Sequence, residues 1–327
     1  MGTRKALIVG IDDYSVVPLS GCVNDAKEIA TLLSRNDNGS VNFSVQLKTS
    51  EDYQISKGSL KQWIKDCFSG DDEIALFYFS GHGYLDSIGG YVVTPDYAPM
   101  DWGVSMYEIL SYANESKCQN KIIVLDCCHA GSVGAISSTG QQIAVVNEGV
   151  TILTASKWDE SAEEINGHGL FTSLLIDALK GGAADVCGYV SPGSVYAYID
   201  RALGPWGQRP VFKTNVKRFV SLRQTNALID VGIIRKLPQY FSEPEKKLRL
   251  DPSFEPTNNN ETEHKVIEPY SNETNVKIFN DLQKLESVGL VVPDGHEHMY
   301  YAAMESKACK LTAIGQHYWR LVKENII

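Results

Sequence analysis

The chain has 327 residues, 43% hydrophobic and 21% charged, which suits a globular protein of one large or two ordinary domains. A formal net charge of -10 gives it no general attraction to nucleic acid or to anionic lipid. No apolar run is long enough to cross a bilayer, no secretory leader precedes the first strand, and the seven scattered cysteines do not make a disulfide framework, so a cytoplasmic location is expected.

The first 220 residues alternate strand and helix signals. Residues 4–10 (RKALIVG) read as a buried strand, and Ala26, Ile29, Ala30 and Leu33 follow at helical spacing. Residues 42–47 alternate as a second strand, and Leu60, Trp63, Ile64, Cys67 and Phe68 share one face of a second helix. Three apolar runs, 73–79, 121–125 and 150–154, read as central strands. The polar, Gly- and Ser-rich stretch 131–149 reads as a loop, and Leu170, Phe171, Leu174, Leu175 and Leu179 mark a further helix. This order predicts an α/β unit with a mostly parallel sheet and helices on both faces, over residues 1–225.

Residues 238–272 break the pattern. Five of the 12 prolines fall there, beside Asn258, Asn259 and Asn260, and the segment is expected to be a flexible linker. The tail, 273–327, reads as a helix carrying Ile278, Leu282 and Leu285, a hairpin of 290–292 and 299–303 around Asp294-Gly295, and a last helix with Ile314, Tyr318, Leu321 and Val322. Helix, hairpin and helix resemble part of a winged-helix fold. Such domains often bind DNA, but six Lys and Arg against seven Asp and Glu lack the basic footprint that phosphate demands. The tail is therefore expected to dock a regulatory protein partner, with neither nucleic acid nor membrane as a target.

Two motifs carry chemistry, and each follows an apolar strand. They are Tyr78-Phe79-Ser80-Gly81-His82-Gly83 and Asp126-Cys127-Cys128-His129-Ala130-Gly131. In a parallel sheet, ligands and active sites gather at the carboxyl ends of the strands. A thiol is a useful nucleophile as its thiolate or with a base at hand, and an imidazole supplies that base and later protonates the leaving amine. The backbone N–H groups of Gly83 and Cys128 are in a position to bind the oxyanion.

"YFSGHG" and "DCCHAG" resemble the two catalytic motifs of caspase-like cysteine peptidases, in the metacaspase and bacterial caspase-like branch. The resemblance runs over about residues 4–215 and includes "LSGCVNDA" (19–26), "LTASKWDESAEE" (153–164), "GHGLFTSLLIDAL" (167–179) and "GQRPV" (207–211). It implies a caspase-fold three-layer sandwich and a cysteine endopeptidase acting on proteins. It also implies that Cys128, directly before His129, is the nucleophile and His82 its partner. Cys127 is then a buried neighbour. Metacaspases resemble one another in cutting after Arg or Lys, and their acidic pocket maps onto Asp25 and Asp126, with Cys22 and Ser80 nearby. Two carboxylates in a narrow pocket favour a cation and reject an acidic side chain, so the expected substrate is a protein with an exposed basic residue. The acidic run that serves calcium in some metacaspases is interrupted at Ser105, Met106 and Tyr107, and no cofactor is expected.

Plainer readings stand beside these. Cys128 can be a buried structural thiol, and Asp25 can simply favour a helix N-terminus. Cys127, Cys128 and His129 are too close in sequence to close a tetrahedral metal site. His129 reads as structural, His168 as a turn residue before a helix, and His296 and His298 as solvated side chains rather than metal ligands. The architecture resembles bacterial defence or cell-death effectors. The alternative from another class is a catalytically silent caspase-like adaptor working through its tail.

Overall fold

The computed structural model describes residues 2–127, 136–137, 142–143, 146–155, 164–165, 168–205, 209–259 and 266–327. The chain divides into two units, Met1–Asn226 and Ala227–Ile327. Along the first come β1 (Arg4–Gly10), α1 (Cys22–Ser34), β2 (Ser44–Thr49), α2 (Lys57–Phe68) and β3 (Ile74–Ser80). Then come β4 (Gly83–Leu85), β5 (Gly90–Ala98), β6 (Asp101–Ser105), α3 (Met106–Glu115), β7 (Asn120–Asp126), β8 (Val150–Thr154), α4 (Leu170–Asp177), α5 (Pro192–Leu203) and β9 (Val211–Thr214).

The main sheet has the order β9-β8-β7-β3-β1-β2. All neighbours are parallel except the β8–β9 pair. Every residue of β3 is buried, as expected of a central strand with both faces covered. Period-2 alternation divides its side chains between two layers. Leu7, Val9, Phe77, Phe79, Ile123 and Leu125 pack on one face with α2 and α3. Ala6, Ile8, Leu76, Tyr78, Ile122 and Val124 pack on the other with α1, α4 and α5. The first unit is thus the three-layer α/β sandwich with a mostly parallel sheet that the sequence predicts.

Two local devices bring α1 to the end of β1. A Cβ on Gly10 would lie 2.3 Å from the Cys22 carbonyl oxygen and 2.7 Å from the Ala26 Cβ, so only glycine lets the helix come this close. The α1 N-terminus has no side-chain cap from Gly21. Instead Asp12, in the loop after β1, accepts the N–H groups of Cys22 (2.8 Å) and Val23 (3.2 Å). These are orphan donors that the helix cannot satisfy itself.

The stretch read as a loop, 131–149, contains an antiparallel pairing of Ile136–Ser137 with Gln142–Ile143. Cys128, His129 and residues 130–135 lie outside the described residues.

The second unit contains α6 (Val231–Ile234), α7 (Leu237–Tyr240), β10 (Leu248–Arg249), α8 (Glu273–Ser287), β11 (Val291–Asp294), α9 (Met299–Met304), β12 (Ala308–Leu311) and α10 (Ala313–Lys323). β10, β12 and β11 form an antiparallel sheet in that order. Its structure corrects the expected flexible linker at 238–272. Phe241, Leu250 and Phe254 of that stretch are buried, and β10 pairs with β12. Two of its prolines open helical turns, Pro238 in α7 and Pro252 in the 3-10 turn Pro252–Phe254, where a missing N–H does no harm. Asn258, fully buried, donates to the carbonyls of Pro252, Ile267 and Pro269 and accepts the Ile267 N–H.

A second correction concerns 299–303. These residues are not a hairpin strand but the helix α9, whose Met299, Ala302 and Ala303 are buried at helical spacing. The partner of β11 is Ala308–Leu311 instead. The order helix, strand, helix, strand, helix after Asn272 departs from the helix–hairpin–helix order behind the winged-helix likeness.

Candidate active site

β1, β3 and β7 end level with one another, with Gly10 opposite Ser80 and Ser80 opposite Asp126. His82 follows two residues beyond β3. Its ring is half-buried, and its Nε2 lies 2.6 Å from the Val17 carbonyl oxygen. A carbonyl only accepts, so Nε2 carries a hydrogen and Nδ1 is left as the other working nitrogen. Val17 precedes Pro18, and proline disfavours the helical region for the residue before it, which narrows the directions open to that carbonyl.

Tyr14 holds the other side of the histidine. Its hydroxyl accepts the His82 backbone N–H (3.1 Å) and donates to the Val93 carbonyl (3.2 Å), and its ring centroid is 4.6 Å from that of His82. Burial pushes the phenol well above its ordinary pKa, so it stays a donor. The Val93 N–H in turn donates to the His82 carbonyl (2.9 Å). Gly83 opens β4, and with His82, Tyr14, Val17 and Trp102 it lines a pocket of about 220 Å³.

The four expected pocket residues come together on the α1 side of the sheet. Asp25, in the first turn of α1, is 1% exposed. It receives the Ser80 hydroxyl (3.3 Å) and the Gly169 N–H (3.4 Å), and its Oδ1 is 2.6 Å from His168 Nδ1. Burial raises the Asp25 carboxyl above the ordinary carboxylate range, and the hydrogen bonds from His168 and Gly169 oppose the rise. Asp126 accepts the Thr172 hydroxyl (2.6 Å), and Thr172 also bonds the Tyr78 hydroxyl (2.6 Å). A Cβ on Gly169 would fall 2.7 Å from Asp126 Oδ2, so this glycine sits against both acids. Cys22 lies beside Ser80, and burial pushes its thiol up, which keeps it neutral beside the carboxylates.

His168 was readable only as a turn residue, yet its ring faces Asp25, Asn24 at 2.9 Å and Glu28 at 3.9 Å. The sequence signal for it is the pair of flanking glycines immediately before a helix. Tyr14 and the Val17 carbonyl were also missed, because they lie in a loop with no pattern of its own.

The nucleophile candidate Cys128 lies outside the described residues, and β7 leads to it through the buried Asp126 and Cys127. Ser105 caps α3 by accepting the Tyr107 N–H (3.2 Å). Among the described residues, no three His, Cys, Asp or Glu side chains are grouped to hold a metal ion. No helix among them is long and apolar enough to cross a membrane.

The family model of the caspase domain matches residues 3–220, the whole span that carries the sheet and both motifs. The chain belongs to the caspase-domain family. That is a family of cysteine peptidases acting on protein substrates. Among solved structures, a Geobacter sulfurreducens protein is similar with a TM-score of 0.51 at 15% identity, over 68% of this chain and 97% of that one. Caspase-1 from Spodoptera frugiperda has a TM-score of 0.49 at 13% identity, over 68% of this chain and 90% of its own. No curated protein matches the chain. The caspase-domain match ends before the second unit begins, so it speaks for the first unit alone.

Proposed function

We propose that this protein is a cysteine endopeptidase that cleaves proteins after Arg or Lys, with Cys128 as nucleophile and His82 as general base and acid. The observation that carries the reading is the bond from His82 Nε2 to the Val17 carbonyl, which leaves Nδ1 to exchange a proton with a thiol. His82 takes the Cys128 proton and the sulfur adds to the peptide carbonyl. The oxyanion is bound by the N–H groups of Gly83 and Cys128, where one such donor is typically worth ~3–4 kcal/mol of barrier. Collapse breaks the C–N bond, and His82 delivers its proton to the departing amine. Water then hydrolyses the thioester. Asp25 and Asp126, with Cys22 and Ser80, hold the basic side chain. The chemistry uses no cofactor.

The second unit serves as the regulatory region and docks a protein partner through 273–327. A bacterial defence or cell-death effector in the cytoplasm fits this combination.

The test is a fluorogenic peptide library on wild type and three variants. Cys128→Ala and His82→Ala each lose about a thousandfold or more, because the pair acts as a unit. Cys127→Ala keeps most of the activity. A dead Cys127→Ala beside an active Cys128→Ala reverses the assignment. Wild type that cuts nothing favours the silent adaptor, and efficient cutting after Asp removes the basic specificity.

A further inference from the structure

The pocket against His82 has walls of a different kind from the acid pair. Tyr84 and Trp102 meet with ring centroids 3.9 Å apart and planes tilted by 33°, and Tyr97 lies 6.1 Å from Trp102 with its plane turned only 21°. Tyr14 and His82 close one side, and Val17, 57% exposed, forms the lip. Among the described lining residues none is Asp, Glu, Lys or Arg. The volume of about 220 Å³ is below the ~300–1,000 Å³ usual for small-molecule sites and fits a single large side chain.

These walls are held in place. Tyr84 and Trp102 stand on β4 and β6, on either side of β5. The pairing of β5 with β6 shifts register between Val93 and Ala98, and such an irregularity re-aims the side chains within it, here Tyr97. Tyr14 is tied at both ends of its hydroxyl. Aromatic surface left open in a fixed recess favours an apolar occupant.

The position of the recess says which occupant. Tyr14 and Val93 belong to the core layer of α2 and α3, whereas Asp25 stands on α1 in the opposite layer. The aromatic recess and the acid pair therefore flank the strand ends from opposite layers. His82, which protonates the departing amine, is itself a wall of the aromatic one. The residue that bears this nitrogen must come within hydrogen-bond reach of the imidazole, so its own side chain lies at the mouth of the pocket.

We propose that the recess of Tyr14, Val17, Tyr84, Tyr97 and Trp102 receives the side chain on the leaving side of the scissile bond and selects a large apolar or aromatic residue there. This rests on the peptidase reading and adds a second specificity to it. A good substrate then reads Arg or Lys followed by Phe, Tyr, Trp or Leu.

The experiment uses the full chain and internally quenched peptides with Arg fixed at the cleaved position. The leaving-side residue is varied through Gly, Asp, Lys, Leu, Phe and Trp, and an Arg-aminocoumarin amide serves as the comparison without that residue. Wild type should prefer Phe over Gly by about tenfold or more in kcat/KM, the range an apolar pocket can supply. In Trp102→Ala the Phe-to-Gly ratio should fall to about two, whatever the total rate. Tyr84→Ala, at a partly exposed position, gives a second reading of the same ratio if the first variant folds poorly. An active enzyme with a flat leaving-side profile, or an unchanged ratio in both variants, overturns this inference and leaves the peptidase reading standing. Failure to cleave every peptide and the amide overturns both.

Discussion

Asp25 is asked to meet a cation while lying 1% exposed under His168 and Gly169. Burial favours its neutral form and raises its pKa, while recognition of Arg or Lys needs the charged form. The sign of the pH effect follows. As pH falls, Asp25 takes up its proton at a higher pH than an ordinary aspartate, and attraction for a basic side chain weakens early. KM for an Arg substrate should therefore climb on the acid side before ordinary carboxylates titrate. In Asp25→Asn, KM at neutral pH should rise about thirtyfold, the low end of the cost of removing one partner of a buried charge pair. The early acid climb should vanish with it. Folding shows the opposite side of the linkage: ionised Asp25 opposes the folded state above its unfolded pKa, so Asp25→Asn should not lower stability at neutral pH. Steady-state kinetics across pH, with thermal melts alongside, read both. An unchanged KM with an unchanged acid limb removes Asp25 from recognition. At this scale the sequence motifs led to Asp25, Ser80, Cys22, Asp126 and His82. They did not lead to His168, Tyr14 or Val17, whose contacts with Asp25 and His82 span 143, 68 and 65 positions of chain.

Elements were legible where burial is continuous. β1, β3, β7 and β8 are short, nearly continuous apolar runs because the sheet buries both of their faces, and they were read from that continuity rather than from alternation. The sheet of β4, β5 and β6 left no such trace. β5 carries Pro95, which argues against a strand, and its buried face gives way to alternation after Thr94. In the second unit composition misled. Proline and asparagine suggested a free linker, but there Pro238 and Pro252 start turns and Asn258 ties the segment together from the inside. Removing that tie should show its worth. Asn258→Ala leaves the buried Pro252 carbonyl without this partner, together with the less buried Ile267 N–H and the Ile267 and Pro269 carbonyls that water can reach, and a buried group left unmade costs about 1–3 kcal/mol. A loss of about 1–3 kcal/mol is expected for the second unit. Hydrogen exchange should find faster opening in α8 and β12, with β3 unchanged. Protection in α8 equal to wild type would mean that 252–269 is not part of that cooperative unit.

The whole molecule constrains how such an enzyme can process itself. Many caspase relatives resemble one another in being activated by a cut in the loop after the nucleophile. In this chain no Lys or Arg occurs from Ile122 to Ser156, so a pocket that demands a basic residue has nothing to cut there. Several basic residues further on are held by structure. Lys213 is paired within β9 opposite Ile152, and Arg223, 8% exposed, bonds the carbonyls of Leu32, Arg35 and Leu179. Lys236 is tied to Asp281 at 2.7 Å, and Arg249 lies in β10. A peptidase needs a segment that can open and extend, and exposed turns meet that need best. Lys246 and Lys247 stand in such a turn before β10, with their ion pairs to Glu243 and Asp294 at the surface. Exposed pairs of this kind add little resistance to opening. The active wild type should therefore remain uncut through 122–156, and any self-cleavage should fall at exposed bases further on, Lys217 or Arg218 in the bend after β9, or Lys246 or Lys247 before β10. A cut at any of these leaves the sheet and both motifs on one chain. Intact-mass analysis of active enzyme beside Cys128→Ala decides the matter. A Cys128-dependent cut between Ile122 and Ser156 would refute both the basic specificity and activity as a single chain, because no bond in that span offers the side chain that Asp25 and Asp126 are proposed to hold.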